Sequence, residues 1–414
     1  MTLKKYNLLL ASFYALCLAG AWGFSAYLQP VDGDLTRIGG YSENDFGSRI
    51  AHETFSETLF TNAKTLEEYD RYYDVVVLGD SFSVEQQGAR GYSWQNFFVN
   101  KTGLSLITLD TRRYWPIEVL QHETFKKHPP KIFVFESVER YLYDRVAYFS
   151  SKGSIDATCD LLKKHIETGK ALTDDENEIL SWLLPNQSHP LNKEILLKTR
   201  PLKPCFDSNY ALSFLNASFK RKIGFERQAI ELPLNKKGLF SCDKSDRLLV
   251  YFDEMEKQKL SSEHFEKMVN GVMVFAIASS CSSVVYGKSP NFVCLPAPDK
   301  TSLYAPWLAN KEDATPNLLK KICDYSAAGQ IRNGTTNINL CQTTNKWEHL
   351  PFLPKQFHKY DMTPIVRTDL LLREAIEKGQ QDIFLPNDSH WGSEGHRIVA
   401  DGLLDYLRQK QILK

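Results

Sequence analysis

The chain has 414 residues, 43% of them apolar and 24% charged, and its 50 Lys plus Arg balance 50 Asp plus Glu. That is enough chain for one large domain or two smaller ones, with an ordinary folded composition. Zero net charge removes any global field toward polyanions, which argues against a nucleic-acid partner.

Tyr6 to Leu28 carries no charge and is rich in Leu, Ala, Phe and Tyr. As a helix it would reach ~34 Å, enough for a hydrocarbon core of ~30 Å. Lys4 and Lys5 precede it and Asp32 and Asp34 follow, so the remainder is expected outside the cytoplasm. Residues 1–28 therefore read as an inner-membrane anchor, with a signal peptide cut near Ala19-x-Ala21 as the alternative. Leu16 before Cys17 is not the small residue that lipoprotein processing needs.

Residues 29–70, with Gly33, Gly39-Gly40 and Gly47, read as a linker leading into a domain over 71–414. Tyr73–Leu78 is a short buried-strand type. Ser93 caps a helix through Asn100 that turns Trp94, Phe97 and Phe98 inward and stops at Gly103. Leu104–Leu109 is the next strand, Glu118–Lys127 a helix ended before Pro129-Pro130, and Lys131–Glu136 a third strand. Short apolar runs alternating with helices predict an α/β fold with a central parallel sheet covered on its faces.

About 150–250 breaks that rhythm and reads as a middle insertion, with helices over Ala157–Lys170 and Asp174–Leu184 and a β-like piece at Arg247–Phe252. Glu254–Ser279 is a long helix with Phe265, Met268, Val269, Val272, Phe275 and Ala276 at helical spacing. Asn291–Leu295 is a strand, 305–350 polar and loop-like, Thr368–Gly379 a helix and Asp382–Leu385 the last strand. Ser393 caps a final helix through about Lys410, with Val399, Leu403 and Leu407 inward.

Seven cysteines follow the apolar segment, so an oxidising compartment would leave at least one unpaired. The preferred pairs are Cys323–Cys341 and Cys205–Cys242; Cys281 and Cys294 read as buried thiols. No spacing suggests a zinc site, and no metal or cofactor is expected.

Two motifs carry chemistry. Val75-Val76-Val77-Leu78 runs into Gly79-Asp80-Ser81-Phe82-Ser83, which puts a serine hydroxyl at a strand end, where parallel sheets present reactive groups. Ile383-Phe384-Leu385 runs into Pro386-Asn387-Asp388-Ser389-His390-Trp391. Ser81 is the candidate nucleophile, which needs a base. His390 is that base, and Asp388 orients it and stabilises its cation. The Ser81 N–H can serve as one oxyanion donor. Each motif alone also reads as a capped turn; their order at opposite ends of one α/β region favours catalysis. Asp80 reads as a structural hydrogen-bonder, and Phe82 and Ser83 as packing or capping residues. His122 and His128 read as solvated, His52, His165, His189, His264, His349 and His358 as surface residues, and His396 as a residue on the surface of the last helix. Glu394 suits the helix dipole.

These two blocks resemble the first and last blocks of SGNH (GDSL-type) hydrolases. The finer resemblance is to the SGNH-like O-acetyltransferases of alginate and related exopolysaccharide biosynthesis. It rests also on Gly33-Asp34-Leu35-Thr36-Arg37-Ile38-Gly39-Gly40, Gly91-Tyr92-Ser93-Trp94-Gln95-Asn96-Phe97, Phe133-Val134-Phe135-Glu136-Ser137-Val138-Glu139-Arg140-Tyr141 and Pro298-Asp299-Lys300-Thr301-Ser302-Leu303-Tyr304, spread over roughly 30–410. The resemblance implies an SGNH-hydrolase-like three-layer fold and a Ser81–His390–Asp388 triad. It implies an acetyl-serine intermediate, a periplasmic polysaccharide acceptor, and a membrane-bound O-acyltransferase protein that donates acetyl groups.

Some alginate members place Asp-x-His before the serine block; here it comes last, as in ordinary SGNH hydrolases. The third-block Gly-x-Asn is replaced by Glu136-Ser137-Val138-Glu139-Arg140. The second-block glycine is not evident after Leu109, where Asp110-Thr111-Arg112-Arg113 follows. The side-chain oxyanion donor is thus unassigned: Arg113 or Arg140 could help, though Glu139–Arg140 reads better as a structural ion pair. Alternative functions are a carbohydrate acetylesterase, or a non-catalytic polysaccharide-assembly protein that kept the fold.

Overall fold

The computed structural model describes residues 2–28, 33–84, 91–114, 116–146, 208–224, 228–265, 267–268, 271–272, 290–327, 332–333, 336–337 and 364–414. In chain order they form α1 (Leu3–Leu28), α2 (Asp34–Gly39), α3 (Glu43–Phe46), β1 (Thr61–Asn62), β2 (Val75–Gly79), α4 (Trp94–Thr102), β3 (Leu106–Asp110), α5 (Pro116–Gln121), α6 (Glu123–Lys127), β4 (Ile132–Val138) and α7 (Glu139–Val146). Then come α8 (Ser208–Lys222), β5 (Ala229–Pro233), β6 (Arg247–Tyr251), β7 (Asn291–Ala297), α9 (Lys300–Leu303), α10 (Leu318–Ala327), β8 (Arg332–Asn333), β9 (Thr336–Asn337), α11 (Thr368–Glu377) and α12 (Ser393–Gln409). Within α1, Leu3–Gly23 is long and apolar enough to cross a membrane, and its side chains are exposed.

The centre is a five-stranded parallel sheet in the order β1-β3-β2-β4-β7. Val76 faces Ile107 on one side and Phe133 on the other, and Val134 faces Val293. Every residue of β2, β3 and β4 is buried, which is why Val75–Leu78 and Ile132–Phe135 are continuous apolar runs rather than alternating ones. Ser93 caps α4 by accepting from the Asn96 N–H, and Gly103 ends it at φ 67°. The helix α12 packs against α4 with Val399, Leu403 and Leu407 buried.

Several elements differ from expectation. The stretch 29–70 supplies the edge strand β1, which pairs with β3, as well as α2 and α3. The expected helix Glu118–Lys127 is two helices, broken at His122, whose ring stacks on Tyr69 with centroids 5.5 Å apart. His122 is therefore half-buried rather than solvated. The expected start of a long helix at Glu254 is instead a 3₁₀ helix over Phe252–Lys259, followed by extended Leu260 and a helical turn at 262–265. Three residues per turn align Glu254 and Lys257, and both side chains are buried there. Leu318–Ala327, expected to be loop, is a helix that buries Leu318, Leu319, Ile322 and Cys323.

Asp382–Leu385 does not join the sheet. Asp382 turns the chain at φ 51°, and the apolar run then pairs with its own continuation: the Leu385 N–H donates to the His390 carbonyl and the Gly392 N–H to the Ile383 carbonyl. Gly392, not Ser393, is the N-cap of α12; the Ser393 hydroxyl instead accepts from the Glu53 N–H and bonds His52.

Arg247–Tyr251 is a strand as expected, in a separate antiparallel pair with β5. The expected helices at 157–170 and 174–184, and Cys159, Cys205, Cys281 and Cys341, lie outside the described residues. Cys323 is disulfide-bonded. Cys242, expected to pair with Cys205, is a free thiol turned into the core, and burial pushes its pKa up to about 12.

One contact ties the start of α2 to the chain's far end. A Cβ on Gly33 would lie 2.1 Å from the Asn387 carbonyl oxygen. Gly33→Ala is expected to lower stability by about 1–3 kcal/mol, the usual cost of overpacking, seen as a lower midpoint in thermal melting. An unchanged midpoint would mean that the two segments do not meet this closely.

Candidate active site

The strand β2 ends at Gly79, where a Cβ would fall 2.6 Å from the Ser83 Cβ and 2.9 Å from Glu136 Oε2. Only glycine lets the following turn fold back this tightly. The N–H groups of Ser83 and Val84 both donate to the Asp80 carbonyl, at 2.9 and 3.0 Å. Ser81 thus stands at the C-terminal end of the sheet, partly exposed, over buried Phe82.

Asp80 has the structural role expected of it. Its carboxylate accepts from the N–H groups of Phe82 (3.1 Å) and Val138 (2.7 Å) and from Arg145. Burial would raise this carboxyl, but Arg145 and the two N–H groups outweigh it and hold it below its usual range. Its buried neighbour Glu136 moves the other way, raised by burial and by the Asp80 charge. Glu136 Oε2 accepts from the Asp80 N–H at 3.0 Å and the Ser83 hydroxyl at 2.8 Å. The floor under Ser81 is therefore two buried carboxyls whose pKa values are pushed in opposite directions, Asp80 down and Glu136 up.

The loop after Leu385 meets that turn. His390 Nε2 lies 2.8 Å from Ser81 Oγ, and His390 Nδ1 lies 2.6 Å from Asp388 Oδ1. An ionised carboxylate has no proton to give, so Nδ1 must carry the hydrogen and Nε2 presents its lone pair to the serine hydroxyl. The His390 ring packs on Phe82 with centroids 4.8 Å apart, and Trp391 packs on the same ring at 4.6 Å. The three residues singled out in the sequence are thus brought together in the order Ser81, His390, Asp388. The Ser81 N–H has no hydrogen-bond partner among the described residues, which leaves it available to a ligand oxygen.

Two further residues hold this arrangement. The Asp34 N–H donates to Asp388 Oδ2 at 3.0 Å, while the Asp34 carboxylate accepts from the Ser389 N–H at 2.7 Å and the Ser389 hydroxyl at 2.5 Å. Its Oδ2 also lies 3.7 Å from His390 Nδ1, so two carboxylates face one edge of the imidazole. Asp34, Asp388 and His390 present ligand atoms within 4.8 Å of one another, a spacing compatible with a cation. A cation there would have to break the 2.6 Å Asp388–His390 bond, so the donor set suits proton transfer better.

Lys300 is the second. It is buried, and its ammonium donates to the carbonyls of Leu385 (2.9 Å), Asp388 (3.0 Å) and Pro386 (3.4 Å). Sequence reading placed Asp34 and Lys300 in blocks of resemblance but gave neither a task, because their partners lie 355 and 85 to 88 residues away.

Other expectations are corrected. His396 is not on the surface: it is fully buried, and its Nδ1 accepts from the Trp94 N–H at 3.2 Å, joining α12 to α4. His52 is half-buried between Ser48 and Ser393. Glu139 and Arg140 do not pair with each other. Adjacent helical residues point about 100° apart. Arg140 meets Asp299, while Glu139 takes the buried Lys257 ammonium at 2.9 Å. Arg113 donates to the Lys64 carbonyl at 2.9 Å. Both arginines considered as oxyanion donors are thus engaged with other protein groups. Glu394 lies in the first turn of α12 and pairs with Arg397.

Burial pulls the Lys300 pKa down to about 8, against the opposing charges of Glu254, Asp34 and Asp388. The ammonium with three N–H groups therefore dominates below that pH, and the amine, with two and a lone pair facing carbonyls, above it. For any reaction that uses Ser81, Lys300→Met should lower kcat by about 10²-fold through misplacement of the His390 loop, with KM little changed. The wild-type rate should fall above about pH 8, and that limb should vanish in the variant. A pH–rate profile of both proteins checks this; an alkaline limb retained in Lys300→Met contradicts it.

No family model, no curated protein and no solved structure matches this chain.

Proposed function

We propose that the protein is an SGNH-type O-acetyltransferase acting on an extracytoplasmic polysaccharide. The observation that carries this reading is the hydrogen-bond chain from Ser81 Oγ through His390 to Asp388, at 2.8 and 2.6 Å. The parallel sheet supports it too, with Ser81 following a central strand and Asp-x-His preceding the last helix. So does the apolar N-terminal helix, if it anchors the domain outside the cytoplasm.

The reaction runs in two halves. Ser81 Oγ attacks the carbonyl carbon of an acetyl donor as His390 Nε2 takes the hydroxyl proton. Asp388 stabilises the imidazolium, and the Ser81 N–H, unpartnered among the described residues, serves as a donor to the new oxyanion; such a donor is typically worth about 10²–10³ in rate. The tetrahedral adduct collapses, the donor's leaving group takes the proton from His390, and acetyl-Ser81 remains. A sugar hydroxyl then gives its proton to His390 and attacks the acetyl carbon. The acetylated sugar leaves, and Ser81 regains its proton. The acetyl donor would be supplied by a membrane-bound O-acyltransferase protein, because the acetyl pool of the cytoplasm lies across the membrane.

Purified full-length protein is given 4-nitrophenyl acetate with and without an oligosaccharide acceptor, and acetate and acetylated sugar are both measured. Ser81→Ala should abolish both, and Asp388→Asn should slow both by about 10⁴-fold, as when a triad acid loses its charge. Acetate release that survives Ser81→Ala overturns the reading. Ser81-dependent acetate release that no tested acceptor diverts to sugar makes the protein an esterase instead.

A further inference from the structure

The helix α8 lies against the segment that follows the membrane-length helix. At Gly40, just past α2 and at φ 65°, a Cβ would fall 2.3 Å from the Ser218 backbone nitrogen, so the two backbones touch. Phe214 is buried, and the Arg221 guanidinium sits 4.3 Å over the ring of Tyr41. Residues 214, 218 and 221 therefore mark the inward face of α8.

On the opposite side, at the C-terminal end of α8, no described residue covers the helix. Phe219 is 62% exposed and Ile223 52%, and the Ile223 N–H donates to the Phe219 carbonyl at 3.1 Å, so the pair lies one helical turn apart on one side. Lys220 and Lys222 are both exposed. At about 100° per residue they fall on either side of the apolar pair. Two apolar tips flanked by lysines that can bend their ammonium groups outward suit an anionic phospholipid surface.

The chain places this face near a bilayer. Five residues, 29–33, separate Leu28, the end of α1, from Asp34, the start of α2, so the two are six residue steps apart. Six such steps span at most about 20 Å. With α1 in a membrane, α2 is held close to its surface, and α8 is packed on α2.

We propose that the outward face of α8, with Phe219 and Ile223 between Lys220 and Lys222, docks on an anionic phospholipid surface beside the α1 anchor. One end of α2 touches α8 and the other, through Asp34, the His390 loop. Docking therefore fixes the height and tilt of the Ser81 site above the bilayer. This concerns how the domain sits and stands whether or not Ser81 transfers acetyl groups.

The test uses the full chain reconstituted in vesicles of phosphatidylglycerol and phosphatidylcholine. Phe219→p-benzoylphenylalanine is photolysed and lipid adducts are counted by mass spectrometry, with exposed Leu370 on α11 substituted likewise as the control. Lipid labelling at 219 should exceed that at 370 by about tenfold. It should drop several-fold in phosphatidylcholine alone and in the Lys220→Glu/Lys222→Glu background. The same comparison at Ile223 guards against a local effect of the bulky ketone. Equal labelling at 219 and 370, labelling unchanged by loss of either charge, or cross-links to a second copy of the chain would each overturn the proposal.

Discussion

The buried ammonium of Lys300 points at three carbonyl oxygens of one loop, and the geometry around Ser81 depends on that convergence. Residues 385–391 carry both the base and its carboxylate, yet they belong to no strand of the sheet. Carbonyl dipoles aimed at a common point repel one another unless a cation sits between them. A lysine out of water also costs free energy, shown by the depression of its pKa to about 8. The two costs offset when the ammonium meets the carbonyls. Asp34 does the complementary task from the other side, where its N–H and carboxylate bond Asp388 and Ser389. The loop is thus held from below by a cation and from the side by an acid and an amide, and His390 has little room to leave Ser81.

Charge under the nucleophile is arranged with similar economy. Asp80 and Glu136 are both buried beside the Gly79 turn, and two carboxylates so close cannot both ionise readily. Arg145 selects Asp80 as the charged member. The upward shift of Glu136 disfavours a second negative charge beside the position where an oxyanion would form. A second buried group, Lys257 with Glu139 and Asp299, ties the 3₁₀ helix to α7 and to the turn that carries Lys300. The positioning lysine therefore stands next in sequence to a buried ionic group, through Asp299.

Local features of the sequence were informative about local structure. The strands expected at Tyr73–Leu78, Leu104–Leu109 and Lys131–Glu136 are found within a residue or two of those bounds, buried on both faces, and α4 is marked by the Ser93 hydroxyl at one end and by the left-handed backbone of Gly103 at the other. Ser81, Asp388 and His390 were recognisable because each follows an apolar run. The failures share another cause. Ile383–Leu385 has a strand's composition but pairs with residues 390–392, a choice made by a turn at Asp382. His396 reads as a helix-surface residue until α4 covers it. Lys300, Asp34 and Lys257 act on partners tens to hundreds of residues away, and no periodicity encodes such a distance.

The N-terminal segment joins these threads. Gly33 and Asp34 follow within six positions of the end of the apolar helix, and they press on the loop that holds His390. The membrane-length helix and the Ser81–His390 site are therefore linked through one short stretch of chain. The central claim is that Ser81 is a nucleophile activated by His390. Covalent trapping with a fluorophosphonate at neutral pH tests it most directly, with the modified residue located by peptide mass spectrometry. The account predicts a single adduct on Ser81 that is lost in His390→Ala. An unlabelled Ser81 in folded protein, or labelling indifferent to His390, would contradict it.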